Sequence, residues 1–133
     1  MTDLFPAATT GKEQEIKSLI EAKANLQIRG DRGETALIRA AYYNHPTCVK
    51  LLLNAETLDI QDNQGETALI TASKKGNATC VHALIDANAN LDVKDKEGKT
   101  ALMKAAENGH TECAQSLINA KANLRAQDKD NKT

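Results

Sequence analysis

The sequence predicts an all-α repeat solenoid, in which about four similar helical units stack in a row. The main observation is a repeat: Gly-Glu-Thr-Ala-Leu at 33–37 returns at 65–69, and Gly-Lys-Thr-Ala-Leu follows at 98–102. The spacings are 32 residues (33 to 65) and 33 residues (65 to 98). A unit of that length cannot bury its apolar face alone and stacks on copies of itself. Aromatic residues make up only 2% of the chain, which favours thin layers of small aliphatic side chains over one large core.

Length and composition indicate one globular domain. The chain has 133 residues, of which 41% are hydrophobic and 26% are charged. Its formal net charge of −1 gives no overall field that would attract nucleic acid or anionic lipid, so we expect neither as a partner. No apolar run approaches the roughly 18 residues that cross a membrane, and the N-terminal segment lacks the basic start and apolar centre of a signal peptide. We therefore expect a cytoplasmic protein that does not insert into membranes.

Each unit contains two short apolar patterns with helical spacing. In the fourth unit they consist of Ala101, Leu102, Met103, Ala105 and Ala106, followed by Cys113, Ala114, Leu117 and Ile118. Recurrence at i, i+3 and i+4 predicts two helices per unit. Between them a Gly or Asn recurs, which can adopt the left-handed conformation that ends a helix. These residues are Gly11, Asn44, Gly76 and Gly109.

A polar segment joins each second helix to the next unit. At 92–99 it reads Asp-Val-Lys-Asp-Lys-Glu-Gly-Lys. Its Asp and Gly residues favour a tight reversal, so we predict a hairpin tip there. The patterns together predict a single domain over 1–133, with units at about 1–29, 30–61, 62–94 and 95–127 and the start of a further hairpin at 128–133.

A β-turn followed by two helices, repeated about every 33 residues, resembles the ankyrin repeat, and the resemblance covers essentially the whole chain. The family motif Thr-Pro-Leu-His-x-Ala is matched by Thr-Ala-Leu-Ile-Arg-Ala at 35–40, Thr-Ala-Leu-Ile-Thr-Ala at 67–72 and Thr-Ala-Leu-Met-Lys-Ala at 100–105. Ala replaces Pro, whose fixed φ suits a first helical turn, so we expect slightly looser helix starts. Ile or Met replaces His, so we expect an apolar contact in place of a hydrogen bond that the family often uses.

Two departures from the family pattern follow the second helix of each unit. Ankyrin repeats usually have Gly there, whereas this chain has Lys23, Asn88 and Lys121. Of these, Asn tolerates a left-handed conformation better than Lys. The second unit is also one residue shorter, around 54–57. We expect local irregularity on the convex side, with the fold unchanged.

The end units bear on whether the chain is complete. Glu15 stands where the three later units have Cys. A charge there suits the solvated outer face of a capping repeat, so we expect a native N-terminus. At the other end, either the chain continues in a longer protein or the fourth unit is the C-terminal cap. Ala114 and Ser116, smaller or more polar than their counterparts in the second unit, favour the cap.

The three cysteines recur at one place in successive units. Cys48, Cys80 and Cys113 are spaced by 32 and 33 residues. Packed helices lie roughly 8–10 Å apart, whereas disulfide Cα atoms lie within about 7 Å and zinc–sulfur bonds are about 2.3 Å long. We therefore predict free thiols in the core, without a disulfide or a shared metal ion.

The histidines do not assemble a catalytic site. His45 and His110 share the place after the turn residue, which predicts a hydrogen bond that stabilises the turn, and His82 stands on a second helix as a partly exposed residue. No nucleophile, base and orienting acid combine here, and phosphate-loop and dinucleotide glycine patterns are absent. We expect no cofactor, no metal and no enzymatic activity.

The resemblance implies a concave face, built from hairpin tips and first helices, that recognises a partner. Carried over to this chain, it gives Tyr42, Tyr43, Arg32, Glu34, Gln64, Glu66, Lys74, Lys75, Lys96, Lys99, Glu107 and Asn108. Tyrosine is frequent among binding hot spots, but packing of Tyr42 or Tyr43 over the neighbouring unit stays open. The lysines, including Lys94 and Lys104, bias the third and fourth units towards positive potential, although such a cluster is more often a solvated face.

These observations favour a monomeric, non-catalytic module that binds a protein partner, which the sequence does not identify. The alternative is the N-terminal ankyrin scaffold of a longer protein whose activity lies in another domain. A redox or metal enzyme ranks third.

Overall fold

The computed structural model describes residues 4–125 and 127–129, which form four pairs of short helices. The helices are α1 (Leu4–Thr10), α2 (Glu13–Glu21), α3 (Ala36–Tyr42), α4 (Pro46–Leu52), α5 (Ala68–Lys75), α6 (Ala78–Asp86), α7 (Ala101–Glu107) and α8 (Thr111–Asn119). Each first helix packs on the first helix of the next pair, and each second helix packs on the next second helix. The described residues contain no strand. The predicted all-α repeat stack is thereby confirmed.

Threonine side chains start the first helices of the second, third and fourth pairs. Oγ1 of Thr35, Thr67 and Thr100 accepts a hydrogen bond from the backbone N–H three residues later, at 3.2, 3.2 and 3.3 Å. A threonine N-cap satisfies an N–H that the helix itself leaves unpaired and stabilises a helix by roughly 1 kcal/mol. These caps are built into the Thr-Ala-Leu motif, which fixes where each of these helices begins.

Left-handed residues end the helices as the sequence predicts. Gly11, Gly76 and Gly109 have φ of 74–76°, and Asn44 has φ of 60°. After the second helices, the same conformation occurs at Lys23, Asn88 and Lys121, with φ of 63°, 67° and 72°.

The second unit departs from this pattern, as its missing residue predicts. Helix α4 ends at Leu52, and Leu53 is extended, with φ of −60° and ψ of 128°. The carbonyl of Asn54 then accepts hydrogen bonds from the backbone N–H groups of Thr57 and Leu58, at 3.0 and 2.9 Å. Because the segment is one residue shorter, a turn closed on Asn54 replaces the left-handed residue of the other units.

The cysteines lie in one apolar core that runs through all four helix pairs. Cys48, Cys80 and Cys113 are free and at most 1% exposed, which confirms their predicted place. Burial raises the pKa of all three thiols, that of Cys80 to about 11. The thiolate, which is the reactive form, is therefore disfavoured.

His45, which follows the inter-helix turn of the second unit, links that unit to the first. His45 Nε2 lies 2.9 Å from the carbonyl oxygen of Thr9, to which it donates. The ring also covers Gly11, where an added Cβ would lie 2.6 Å from His45 Nδ1. In the next layer Asn77 takes this role, with its Nδ2 2.7 Å from the carbonyl oxygen of Ala41. The predicted hydrogen bond is confirmed at His45, and it stabilises the turn of the preceding unit.

Candidate partner-binding surface

Aspartate side chains shape the hairpin tips of the third and fourth units. Asp62 Oδ1 accepts hydrogen bonds from the backbone N–H groups of Gln64 and Glu66, both at 2.9 Å. Asp95 Oδ1 accepts from the N–H groups of Glu97 and Lys99 at the same distance. An aspartate that accepts hydrogen bonds from the following backbone N–H groups stabilises a tight turn, even where no strand flanks the turn. The tips are therefore fixed structures that can present neighbouring side chains.

The second unit builds its tip in another way. Gly30 occupies the place of the aspartate, and Glu34 Oε1 accepts the hydrogen bond from the N–H of Arg32 at 3.1 Å. An added Cβ on Gly30 would collide with the Glu34 carboxylate, so the missing side chain makes room for the replacement. Glu34 was predicted from the sequence to be a binding residue, and its structural role in the tip was not predicted.

Backbone hydrogen bonds join the tips of successive units. The N–H of Asn63 donates to the carbonyl of Arg32 at 2.9 Å, and the N–H of Lys96 donates to the carbonyl of Gln64 at 3.0 Å. Lys129 continues the series by donating to the carbonyl of Glu97 at 3.1 Å. Side chains on neighbouring tips are thus held at a constant separation.

The two tyrosines lie at an open cleft of about 590 Å³ between these tips and the first helices. Tyr42 is 37% exposed and Tyr43 is 49% exposed. Their rings meet edge to face, with centroids 4.8 Å apart, and Lys75 Nζ lies 4.7 Å from the centroid of the Tyr42 ring. The cleft therefore has a partly exposed aromatic wall whose orientation is fixed by contacts.

The cleft gathers seven of the predicted binding residues. They are Arg32, Glu34, Tyr42, Tyr43, Gln64, Glu66 and Lys74. The other five, Lys75, Lys96, Lys99, Glu107 and Asn108, are not part of its lining. Ile38 and Arg39, which the sequence reading did not select, are part of it.

The two glutamates of the cleft are mostly buried and paired. Glu34 is 8% exposed and accepts from Arg39 Nη2 at 2.8 Å. Burial raises the pKa of the Glu34 carboxyl, but the hydrogen bonds from Arg39 and from the backbone outweigh it, so the pKa lies below its ordinary value. Glu66 is 6% exposed and accepts from Lys74 Nζ at 2.9 and 3.0 Å. Both carboxylates orient cations that are themselves more exposed.

Lys104 corrects the sequence reading, which counted it among the lysines that make the surface positive. It is only 8% exposed. Its Nζ lies 3.5 Å from Asp95 Oδ2 and 3.9 Å from carboxylate oxygens of Glu66 and Glu97. The physical reason is that acidic residues from two successive tips surround this position and neutralise its charge.

The fourth unit reverses an ion pair of the third. Lys99 Nζ lies 3.0 Å from Glu107 Oε2, at the places that Glu66 and Lys74 occupy one unit earlier. The hydrogen bond to Glu107 raises the pKa of Lys99 above its ordinary value. Asn108 is used locally, since its Nδ2 donates to the carbonyl of Lys104 at 2.8 Å.

Residues 4–125 and 127–129 offer neither a metal site nor a membrane-spanning helix. No group of three or more His, Cys, Asp and Glu side chains there is arranged to hold a metal ion. Within the same ranges no helix has the length and apolar character needed to cross a membrane.

Comparison with known proteins agrees with the architecture. A family model described as ankyrin repeats (three copies) matches residues 4–95 and 55–128. A relative, the ankyrin repeat domain-containing protein SAT10 of Stachybotrys chartarum, is 40% identical over 57 residues, which are 42% of this chain and 3% of that protein. The matched segment is thus less than half of this chain and a small part of a much longer relative. Repeats of this type are in general non-catalytic modules of protein interaction. With the helix pairs, capped starts and linked hairpin tips described above, the matches show that the chain belongs to the ankyrin repeat family.

Proposed function

We propose that this protein is a non-catalytic interaction module that binds another protein through the concave face formed by the hairpin tips and first helices. The observation that carries the proposal is the exposed pair Tyr42 and Tyr43 at the cleft, 37% and 49% accessible. Tyrosine provides a large, rigid contact area with a polar end, which is why it is frequent among residues that dominate binding energies.

Preorganisation supports the same use of this face. The two rings hold each other edge to face, and backbone hydrogen bonds link the tips of neighbouring units. A surface that is already ordered loses little conformational entropy on binding, so more of the contact energy remains as affinity. The cleft therefore suits recognition without a large rearrangement.

The burial and the raised pKa values of the cysteine thiols support a non-catalytic role. All three thiols are buried, and burial raises their pKa values. Nucleophilic cysteines instead have lowered pKa values and are at least partly accessible. The thiols fit packing between helices.

The proposal is tested with an affinity capture from the source cells, using the wild-type chain, Tyr42→Ala and Tyr43→Ala as baits. Partners identified by mass spectrometry are then titrated against each purified variant. We expect at least one tyrosine variant to weaken binding by about thirtyfold, since loss of a hot-spot aromatic costs about 2 kcal/mol or more. The melting temperature and helical circular dichroism should stay nearly unchanged.

Lys50→Ala and Gln115→Ala are the matched controls, because both side chains are exposed on second helices, away from the cleft. They should leave affinity almost unaltered. The proposal fails if these controls weaken binding more than both tyrosine variants do. It also fails if the tyrosine variants unfold, because Tyr42 and Tyr43 would then be packing residues.

A second candidate is a scaffold region within a longer protein whose activity lies in another domain. It is favoured by the outer face of α7, where Ala106 is exposed although Ala41 and Ser73, at the same place in earlier units, are fully buried. A further repeat would cover this face. Sequencing the full-length open reading frame tests this role: codons for a further repeat and another domain after position 133 support it, and a stop codon there contradicts it.

A further inference from the structure

We propose that the concave face around the cleft binds an acidic segment of its partner, in which carboxylate side chains flank an apolar one. This inference rests on the proposed function and adds the chemistry of the bound segment. It follows from which charges the structure buries on this face and which it leaves exposed.

Three carboxylates at the cleft and tips are already occupied by donors of the chain itself. Glu34, Glu66 and Asp95 are only 8%, 6% and 8% exposed. The cations that pair with Glu34 and Glu66 are more accessible to solvent. The side chains of Arg39 and Lys74 keep 28% and 32% of their surface exposed. An approaching partner therefore meets the cations of these pairs more than the carboxylates.

Further cations on this face have no acidic partner. Arg32, Lys75 and Lys96 are exposed, and none of them takes part in a salt bridge within 4–125 and 127–129. Asp31, Glu97 and Glu107 are the exposed carboxylates nearby, and Asp31 lines the cleft together with the half-buried Asp62. Glu107 and Glu97 are engaged, since Glu107 pairs with Lys99 and Glu97 lies 3.9 Å from Lys104 Nζ, which leaves Asp31 and Asp62. The cations available to a partner consequently outnumber the available carboxylates.

This excess is local, because the whole chain has a net charge of −1. Nucleic acid binding draws on a basic surface that neutralises many phosphates, and a chain without net positive charge is poorly suited to it. A short acidic peptide needs only a few paired carboxylates. The exposed tyrosine rings between the cations add an apolar contact that a peptide side chain can use.

Repeat spacing suggests how such a segment would lie. Packed helices are roughly 10 Å apart, and an extended chain advances about 3.4 Å per residue, so about three residues span one unit. Carboxylates about three residues apart could then reach Arg32 in the second unit and Lys75 in the third, and a carboxylate about six residues from the first could reach Lys96 in the fourth. An apolar side chain between them would contact Tyr42 or Tyr43.

Phage-displayed random short peptides, selected on the full chain and then measured by fluorescence anisotropy, test the inference. The selected peptides should be rich in Asp and Glu and carry an aromatic or aliphatic residue. Affinity should fall about tenfold or more in the double variant Arg32→Glu/Lys75→Glu, because like charges would oppose each other. It should also fall with rising salt. The milder double variant Arg32→Gln/Lys75→Gln repeats the measurement if the charge reversal impairs folding.

Lys17→Glu/Lys50→Glu is the matched control, because it makes the same change in net charge at exposed places on α2 and α4. It should alter affinity by about twofold or less. Selection of neutral or basic peptides overturns the inference, as do equal losses in the control and tighter binding of a single-stranded oligonucleotide of equal charge. If neutral peptides bind and still require Tyr42 or Tyr43, the inference fails while the proposed function stands. If no selected peptide depends on Tyr42, Tyr43, Arg32 or Lys75, both fail.

Discussion

At the scale of single residues, Ser73 is the least well satisfied side chain in the described core. Its Oγ is fully buried and has no hydrogen-bond partner among the described residues. Ala8 and Ala41 occupy the same place in earlier units and are equally buried. A buried polar group without a partner costs roughly 1–3 kcal/mol. We therefore expect Ser73→Ala to raise the free energy of unfolding by about 1 kcal/mol in urea denaturation.

Thr71→Ala is the control for this prediction. Thr71 is as buried as Ser73, but its Oγ1 donates to Glu66 at 3.4 Å. Its loss should destabilise the chain because it removes a methyl group and leaves the carboxylate with one donor fewer. A lower stability of Ser73→Ala would contradict the prediction and show that the hydroxyl makes a useful interaction.

The Cys80 thiol should make stability fall at alkaline pH. Its pKa is about 11 in the folded chain, against 9.0 for a free thiol. A raised pKa contributes stability that is complete below pH 9 and is lost as the pH rises towards 11. At about 1.4 kcal/mol per pKa unit, the loss amounts to roughly 2–3 kcal/mol. Denaturation midpoints measured across this range should fall more steeply for the wild type than for Cys80→Ala, and parallel profiles would refute the assignment.

Some residue roles were predictable from sequence and others were not. The burial of Cys48 and its two counterparts followed from a small apolar residue recurring at one place. The burial of Lys104 did not, because it depends on carboxylates from two hairpin tips. The structural role of Glu34 could not be predicted either. Gly30 stands where later units have an aspartate, but the sequence does not reveal which side chain accepts the hydrogen bond instead.

At the scale of elements, the turns between helices differ in what their glycines contact. Gly76 and Gly109 share one place in successive units, with φ of 76° and 74°. A Cβ on Gly76 would press against the His110 ring, whereas a Cβ on Gly109 meets nothing within 4 Å. Alanine at either site costs about 1–2 kcal/mol for the left-handed backbone. Gly76→Ala should cost at least about 1 kcal/mol more than Gly109→Ala, because it must also displace the ring.

A double-mutant cycle separates the two contributions. In a His110→Ala background the ring is gone, so the stability losses of Gly76→Ala and Gly109→Ala should become similar. Chemical denaturation of the single and double variants measures each loss. An equal cost of the two alanine variants in the wild-type background would show that the ring moves aside freely.

The repeat motif predicted the helices well because helical spacing and turn residues are local properties. It also located the irregular loop after α4, where one residue is missing. The threonine caps were overlooked, although the signal was present: Thr35, Thr67 and Thr100 each immediately precede an apolar run, which is typical of an N-cap. Their contribution became evident from the hydrogen bonds at the helix starts.

At the scale of the whole molecule, the repeat length determines how the helix pairs stack, and the stacking places the hairpin tips and the first helices on one face. The charge that this face presents could not be predicted from composition. The same two places hold Glu66 and Lys74 in one unit and Lys99 and Glu107 in the next. Which charge remains exposed depends on side-chain pairing between units, and a sequence pattern does not encode that pairing.

The first helix pair tests how far neighbouring layers support each other. α1 and α2 cover the apolar side of α3 and α4, and Arg39 stacks 4.8 Å from the centroid of the Phe5 ring. Stability in a repeat array is a sum of terms within units and between neighbours, so removal of an end unit exposes an apolar layer. Deletion of residues 1–24 should therefore lower the melting temperature and cause aggregation in size-exclusion chromatography. His45→Ala is the control: it removes the hydrogen bond to Thr9 but keeps the layer covered, so the variant should elute like the wild type and lose less stability. An unchanged melting temperature in the truncated chain would show that the first pair does not act as a cap.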